Sequence, residues 1–282
     1  LQKDSNGYTL LKSDGDLAAY LDASTKPEKL RLAADISSSE PITISQNTTI
    51  DLAGHKLYYR VPKNDTDTFI TVASGALTIE DSVKPSDKTS TDNENNPGRA
   101  AAMTWDTNNN GTLTYYVTTS MPSEGGFGTT ETTTKHVVSG FGAIVAASDS
   151  GSVQKVISVA DGGTLNLNGG MVTTPRDLAS NGHIIFAEGR SNETRVNING
   201  GFITGANLNR QRGGWGGGLC VVGAKVTVNM TSGVIAANKA AAGGGIYAEY
   251  ATLNLSGGVI SGNATYVNDI NDGTDTNSGG YG

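Results

Sequence analysis

The chain has 282 residues, 36% of them hydrophobic and 17% charged, with a net charge of −7 and one cysteine. Such an acidic surface repels phosphate backbones and anionic lipid headgroups, which sets nucleic-acid binding and membrane anchoring aside. No apolar run approaches the roughly 18 residues of a membrane span. A lone cysteine, Cys220, excludes an intrachain disulfide and a Cys-rich metal centre, and it reads as a small semi-buried side chain. Gly is 38 of 282 residues, about 13% against a usual ~7%, so many short strands joined by tight turns are expected.

The opening "LQKDSNG" has neither an initiator Met nor a signal peptide and reads as the start of a trimmed or mature segment. "SDGDLAAYLDASTK" (13–26) predicts a short helix, with Asp14 or Asp16 as its cap and Leu17, Ala18, Tyr20 and Leu21 as its apolar face. "KLRLAADI" (29–36) looks like the first strand. "TTIDLAGHKL" (48–57) and "TFITVASGALTIED" (68–81) then alternate apolar and polar residues between turns, which is strand grammar.

From 83 to 150 this grammar is lost and the composition shifts to Thr, Ser, Asn and Gly. "MTWDTNNNGTLTYYV" (103–117) predicts a β-hairpin around an Asn/Gly turn. Its "DTNNNGT" resembles the first half of a calcium loop, which makes Asp106, Asn108 and Asn110 candidate ligands. The twelfth position is Val117, where a calcium loop needs a bidentate Glu, so a plain hairpin turn is the preferred reading. The histidines His55, His136 and His183 share no metal-ligand spacing, and no cofactor is expected.

The grammar returns at 151 as a repeat. Gly170, Gly201, Gly233 and Gly258 are spaced by 31, 32 and 25 residues. Before them stand Leu165-Asn-Leu167, Val196-Asn-Ile198, Val228-Asn-Met230 and Leu253-Asn-Leu255, and after them a second apolar pair. Upstream lies a third short segment: Ile157-Ser-Val159, Ile184-Ile-Phe186, Leu219-Cys-Val221 and Ile246-Tyr-Ala248. Units this short cannot each hold a core, but stacked they bury one continuous apolar column. Three strands per unit in register make a parallel β-helix. Rows are expected to begin near Ile50, Leu77, Leu165, Val196, Val228 and Leu253. The intervening Asn166, Asn197, Asn229 and Asn254 would line up outside at the strand spacing of about 4.8 Å, close enough for a hydrogen-bonded amide ladder.

An open stack needs capped ends, and the 13–26 helix is the expected cap. At the other end "NDGTDTNSGGYG" stops at a glycine run like that of "AGGGIYAEY", so the last coil is expected to be truncated or bare.

The patterns "GGGIYAEYATLNLSGGVISGNAT" and "DLAAYLDA…LRLAADISSSEPITISQNTTIDLAGHKL" resemble the pectin-lyase-like right-handed β-helix superfamily, and more narrowly the β-helical repeats of adhesin-like surface proteins of Gram-positive bacteria. The resemblance covers about 1–82 and 151–282. It implies an all-β fold, a right-handed parallel β-helix with three strands per coil, here with a short N-terminal capping helix and an inserted β-rich lobe. It transfers no catalytic residue, because no lyase or hydrolase site motif is matched. The expected organisation is the cap and first coils in 1–82, the inserted lobe in 83–150 and the main coils in 151–282.

Two constellations are singled out. Asp161 and Glu188 follow "SVA" and "IFA" in successive units and form a candidate carboxylate pair for glycoside chemistry, although both are also ordinary turn residues. "RQRGGWGGG" (210–218) places Trp215 among glycines beside Arg210 and Arg212, with Cys220 expected to line up outside with Ile185 and Tyr247. An exposed Trp stacks on sugar rings and Arg donates to hydroxyls or carboxylates. Trp215 folding back as a structural cover is the competing reading. The functional expectation is a module of an extracellular bacterial surface protein serving adhesion or ligand presentation. It would bind host or dietary glycans, or a host surface protein, with Trp215, Arg210, Arg212 and Tyr247 as contacts and further domains in the same chain. The rivals are a glycan-active enzyme, a polysaccharide lyase or glycoside hydrolase of the same fold, and a passive spacer.

Overall fold

The computed structural model describes residues 1–61, 68–92, 101–106, 110–122, 128–148, 155–174, 182–208, 214–265 and 280–281. Its alternating segments form three parallel sheets. Sheet A has eight strands, in spatial order Thr9–Leu11, Lys29–Leu32, Thr48–Asp51, Ala76–Glu80, Thr164–Leu167, Thr194–Ile198, Val226–Met230 and Thr252–Leu255. Sheet B has seven: Ile36–Ser38, Lys56–Val61, Ala143–Ser148, Met171–Thr173, Phe202–Thr204, Val234–Ala236 and Val259–Ser261. Sheet C has six: Ile42–Ile44, Thr68–Val72, Lys155–Val159, His183–Glu188, Leu219–Val222 and Ile246–Glu249. From Lys29 onward the chain visits A, B and C in turn, then returns to A one strand further along. This predominantly β architecture is compatible with a parallel β-helix.

The core is the column enclosed by the three sheets. Leu77, Leu165, Val196 and Val228 pair one to one, as do Ile79, Leu167, Ile198 and Met230, and all are buried. The earliest of these rows begins one alternation sooner than expected: Thr48 stands opposite Leu77, and Ile50 opposite Ile79. Outside the same sheet the amide ladder is complete. Asn166 donates to Thr78 Oγ1 at 3.2 Å, Asn197 to Asn166 at 2.8 Å, Asn229 to Asn197 at 2.8 Å and Asn254 to Asn229 at 2.9 Å. A buried pair marks the corner after sheet B, where Asn238 and Asn263 bond to each other and to the carbonyls of Ile203 and Ile235. An asparagine suits both places because it donates and accepts at once, so it can pass one bond pattern from coil to coil.

The N-terminal end departs from expectation in detail. The first strand is Thr9–Leu11, ahead of the helix, and it pairs in parallel with Lys29–Leu32. Helix α1 (Asp14–Asp22) is N-capped by Ser13, whose side chain accepts from the Asp16 amide. Asp14 instead accepts from the Ser37 amide and Asp16 from the Lys12 amide, so both carboxylates tie the helix to its surroundings. Leu17 and Tyr20 are buried over the end of the column, whereas Ala18 is exposed. At the opposite end Leu253, Leu255 and Ile260 are 36%, 48% and 43% exposed.

The inserted segment forms its own antiparallel sheet, in the order Ala102–Trp105, Gly111–Pro122, Thr129–Ser139, Ser86–Asp92. It leaves one coil after the sheet A strand Ala76–Glu80 and returns at the sheet B strand Ala143–Ser148. The stack therefore resumes well before residue 150, where the sequence pattern placed the boundary; the apolar run at 143–147 follows a Gly-Phe-Gly turn that disguises it. Asp81 closes the neck, accepting from the Gly54 amide at 2.8 Å and the Gly142 amide at 2.6 Å. Burial pushes this carboxyl up, against the pull of those backbone bonds. The lobe is packed on the outer face of sheet B. Met103, Leu113, Tyr115 and Phe141 share a second apolar cluster with Met171 and Val234, and Ser261 donates to the Tyr116 carbonyl at 2.5 Å.

Ile198 is fully buried in the middle of the column. Ile198→Asp places an unpaired charge there and should destabilise by about 4 kcal/mol or more. Denaturant unfolding followed by circular dichroism, with a β-dominated parent spectrum, measures this.

Candidate functional site

Sheet C decides what faces outward beside the Trp215 loop. Its inward row is Ile42, Ile70, Ile157, Ile185, Leu219 and Ile246. The next residue of each strand faces out, giving the column Thr43, Thr71, Ser158, Phe186, Cys220 and Tyr247. Cys220 thus lies beside Phe186, and Ile185, the expected neighbour, is buried. The reason is a pair of consecutive buried residues where the chain enters the sheet, Ile184–Ile185 and likewise Val156–Ile157. The alternation starts one residue later than "IIF" suggests, and a one-residue shift exchanges the two faces.

The column changes character along the stack, from small hydroxyl residues to aromatic rings flanking a thiol. The Trp215 loop lies against its aromatic end. Trp215 makes a parallel bridge to Ala242, and the Gly216 amide donates to the Ala242 carbonyl at 2.9 Å. Gly216 has φ +73, and a Cβ there would stand 2.6 Å from that of Cys220, so only glycine lets the loop lie this close to the sheet. His183 Nδ1–H donates to the Gly216 carbonyl at 2.9 Å, which pins the loop from the other side. Trp215 is 51% exposed, with its ring 5.5 Å from that of Tyr247 at an interplanar angle of 25°. The Tyr247 hydroxyl donates to Glu249 Oε2 at 3.4 Å.

Lys155 Nζ sits 3.8 Å from the centre of the Phe186 ring, and the His183 ring is 5.4 Å from the same ring. Burial lowers the Lys155 pKa, with Glu188 and Cys220 opposing the shift. Burial also lowers that of His183, opposed by its hydrogen bond to the Gly216 carbonyl and helped by Lys155. The Cys220 thiol is pushed up to about 12, mainly by burial. A thiol reagent at pH 8 should therefore leave native Cys220 unmodified and titrate one thiol after unfolding, as read by absorbance.

Tyr250, which sequence reasoning passed over, belongs to the same end. It follows Glu249 as Gly223 follows Val222 in the coil before. That corner takes a left-handed backbone, with φ 116 at Gly223 and φ 60 at Tyr250. A side chain in this region costs about 1–2 kcal/mol, yet Tyr250 is 82% exposed.

Arg210 and Arg212 fall outside the described residues, as does Asn108. Asp106 and Asn110 close the hairpin: the Asn110 amide donates to Asp106 Oδ1 at 2.8 Å and its side chain to Oδ2 at 3.1 Å. Among the described residues no group of three or more His, Cys, Asp or Glu is placed to hold a metal. Asp161 and Glu188 are not equivalent positions, since Val159 pairs with Ala187 and so sets Ala160 beside Glu188. The Asp161 carboxylate instead receives the amides of Arg190, Ser191 and Asn192 from the next coil, and Glu188 forms an ion pair with Arg190.

Those amide bonds, the Asn192 amide foremost, hold the Asp161 carboxyl below its ordinary value. A depressed native pKa gives stability that is present above the unfolded-state value, about 3.9, and lost as pH falls through the native value. Asp161→Asn should therefore remove part of the parent's acid-limb slope of stability below about pH 4, measurable as melting temperature against pH.

Comparison of the chain with protein-family models, with curated proteins and with solved structures finds no match in any of the three.

Proposed function

We propose that the chain is a glycan-binding module of a bacterial cell-surface protein, built as a right-handed parallel β-helix of the pectin-lyase-like kind and serving adhesion or ligand presentation outside the cell. The observation that carries the reading is Trp215, half exposed and stacked beside Tyr247 on the outer face of sheet C. A large apolar ring at the surface of a solenoid adds nothing to the core column, and paired aromatic faces suit the apolar face of a pyranose. The right-handed sense follows from the strong handedness preference of parallel crossovers. The enzymatic alternative lacks a comparable observation, because the hydrogen-bond acceptors of Asp161 are engaged by backbone amides and Glu188 is engaged by Arg190.

Stacking with a few hydrogen bonds on an open surface corresponds to millimolar to high-micromolar affinity, about −4 to −6 kcal/mol. Many copies on one cell make such a strength sufficient. Trp215→Ala should abolish retention on immobilised glycans while moving the melting temperature by no more than about one or two degrees, as expected of a surface substitution. Early unfolding of the variant would make the tryptophan a structural cover, and undiminished binding would place the ligand elsewhere.

A further inference from the structure

We propose that Tyr250 and Glu249 form the selective edge of the Trp215–Tyr247 surface, and that this edge admits neutral and amino sugars and disfavours acidic ones. The inference rests on the glycan-binding reading of that surface and assigns its ligand class.

The first observation is the backbone of Tyr250. Leaving sheet C, the last two coils turn through a left-handed residue; one coil earlier this is Gly223, and here it is tyrosine. Tyr250 is 82% exposed, so its ring contributes little burial in return for its φ of 60. For folding alone, glycine would serve better at this corner. A bulky side chain held in a disfavoured conformation and pointed at solvent is the pattern of a ligand contact. The second observation is position. Tyr250 adjoins Glu249, which accepts the Tyr247 hydroxyl bond, and Tyr247 stacks with Trp215.

The third observation is charge. Lys155 is held over the Phe186 ring, and Arg190 is paired with Glu188. Among the described residues no cation pairs with Glu249, whose carboxylate accepts the Tyr247 hydroxyl hydrogen bond. A carboxylate only accepts hydrogen bonds. Its ligand must bring O–H or N–H donors, and a uronate or other acidic sugar adds a like charge to its hydroxyls. The protein's net charge of −7 acts in the same direction.

The test measures retention and melting temperature for the full chain and its variants. The three immobilised probes, of equal length, are a neutral gluco-oligosaccharide, a glucosamine oligosaccharide and a galacturonate oligosaccharide. The parent should hold the first two and not the third. Tyr250→Gly should weaken binding of both at least about five-fold with an unchanged or higher melting temperature. Tyr250→Asn, which also tolerates a left-handed backbone, should behave alike and guards against a folding defect peculiar to glycine. Glu249→Gln should narrow the gap between neutral and acidic probes. If Trp215→Ala abolishes binding while the Tyr250 and Glu249 variants bind as the parent does, the selective edge is refuted and the platform stands. A parent that holds the galacturonate probe as tightly as the neutral one also refutes the edge. If Trp215→Ala binds normally, or the parent holds none of the three, the platform and its edge fall together. A Tyr250→Gly variant that loses melting temperature along with binding makes Tyr250 a structural residue and overturns the assignment.

Discussion

Register between neighbouring coils is the constraint on which this molecule depends. The backbone amides and carbonyls of each strand bond to the coil before and the coil after, so the inward residues of successive coils must stay in phase. Leu77, Leu165, Val196 and Val228 keep that phase, and the ladder from Thr78 to Asn254 repeats it on the outer face. An amide ladder has polarity and spacing, so it reinforces the pairing that the apolar column requires. The corners obey the same rule by another device. Carboxylates at Asp51, Asp81 and Asp161 receive backbone amides from a neighbouring turn, which satisfies donors that no strand can reach. For Asp51, burial alone would raise the pKa, but the Ser82 and Arg31 hydrogen bonds outweigh it and lower it.

A solenoid of three sheets offers three outer faces, and this one treats each differently. The face of sheet A carries the amide ladder. The face of sheet B is covered by the inserted lobe, whose Met103, Leu113 and Tyr115 are buried against it. The face of sheet C, free of the described part of the lobe, is where the outward column changes from Thr43, Thr71 and Ser158 to Phe186, Cys220 and Tyr247. Aromatic surface therefore accumulates on the face that the described part of the lobe leaves open. The same end holds the half-exposed Trp215 and Tyr250, the one bulky residue among the three described non-glycine residues with a left-handed backbone. Departures from good local structure that gather at one place are the expected mark of a site under functional demand.

Local pattern made much of this legible before any coordinates. The alternation Val196-Asn-Ile198 and its relatives determined which side chains face in, because the two-residue period of a strand is a property of the chain itself. The helix at 14–22, the hairpin after Trp105 and the loss of repeat after residue 82 were readable for the same reason: each is written in neighbouring residues. What neighbours cannot express is a relation between segments 25 to 32 residues apart. "IIF" fits either face, and only pairing with Leu219-Cys220 turned Phe186 outward and Ile185 inward. Asp161 looked equivalent to Glu188 until the pairing of Val159 with Ala187 aimed it at the amides of 190–192. Ser13, ahead of two acidic residues, became the helix cap because Asp14 and Asp16 were drawn to the amides of Ser37 and Lys12. The sequence determined the period and the inward row, since these follow from strand geometry. The stacking of Trp215 on Tyr247, the seat of the lobe on sheet B and the exposed corner at Tyr250 were decided only by tertiary structure, because each depends on how one coil is set upon the next.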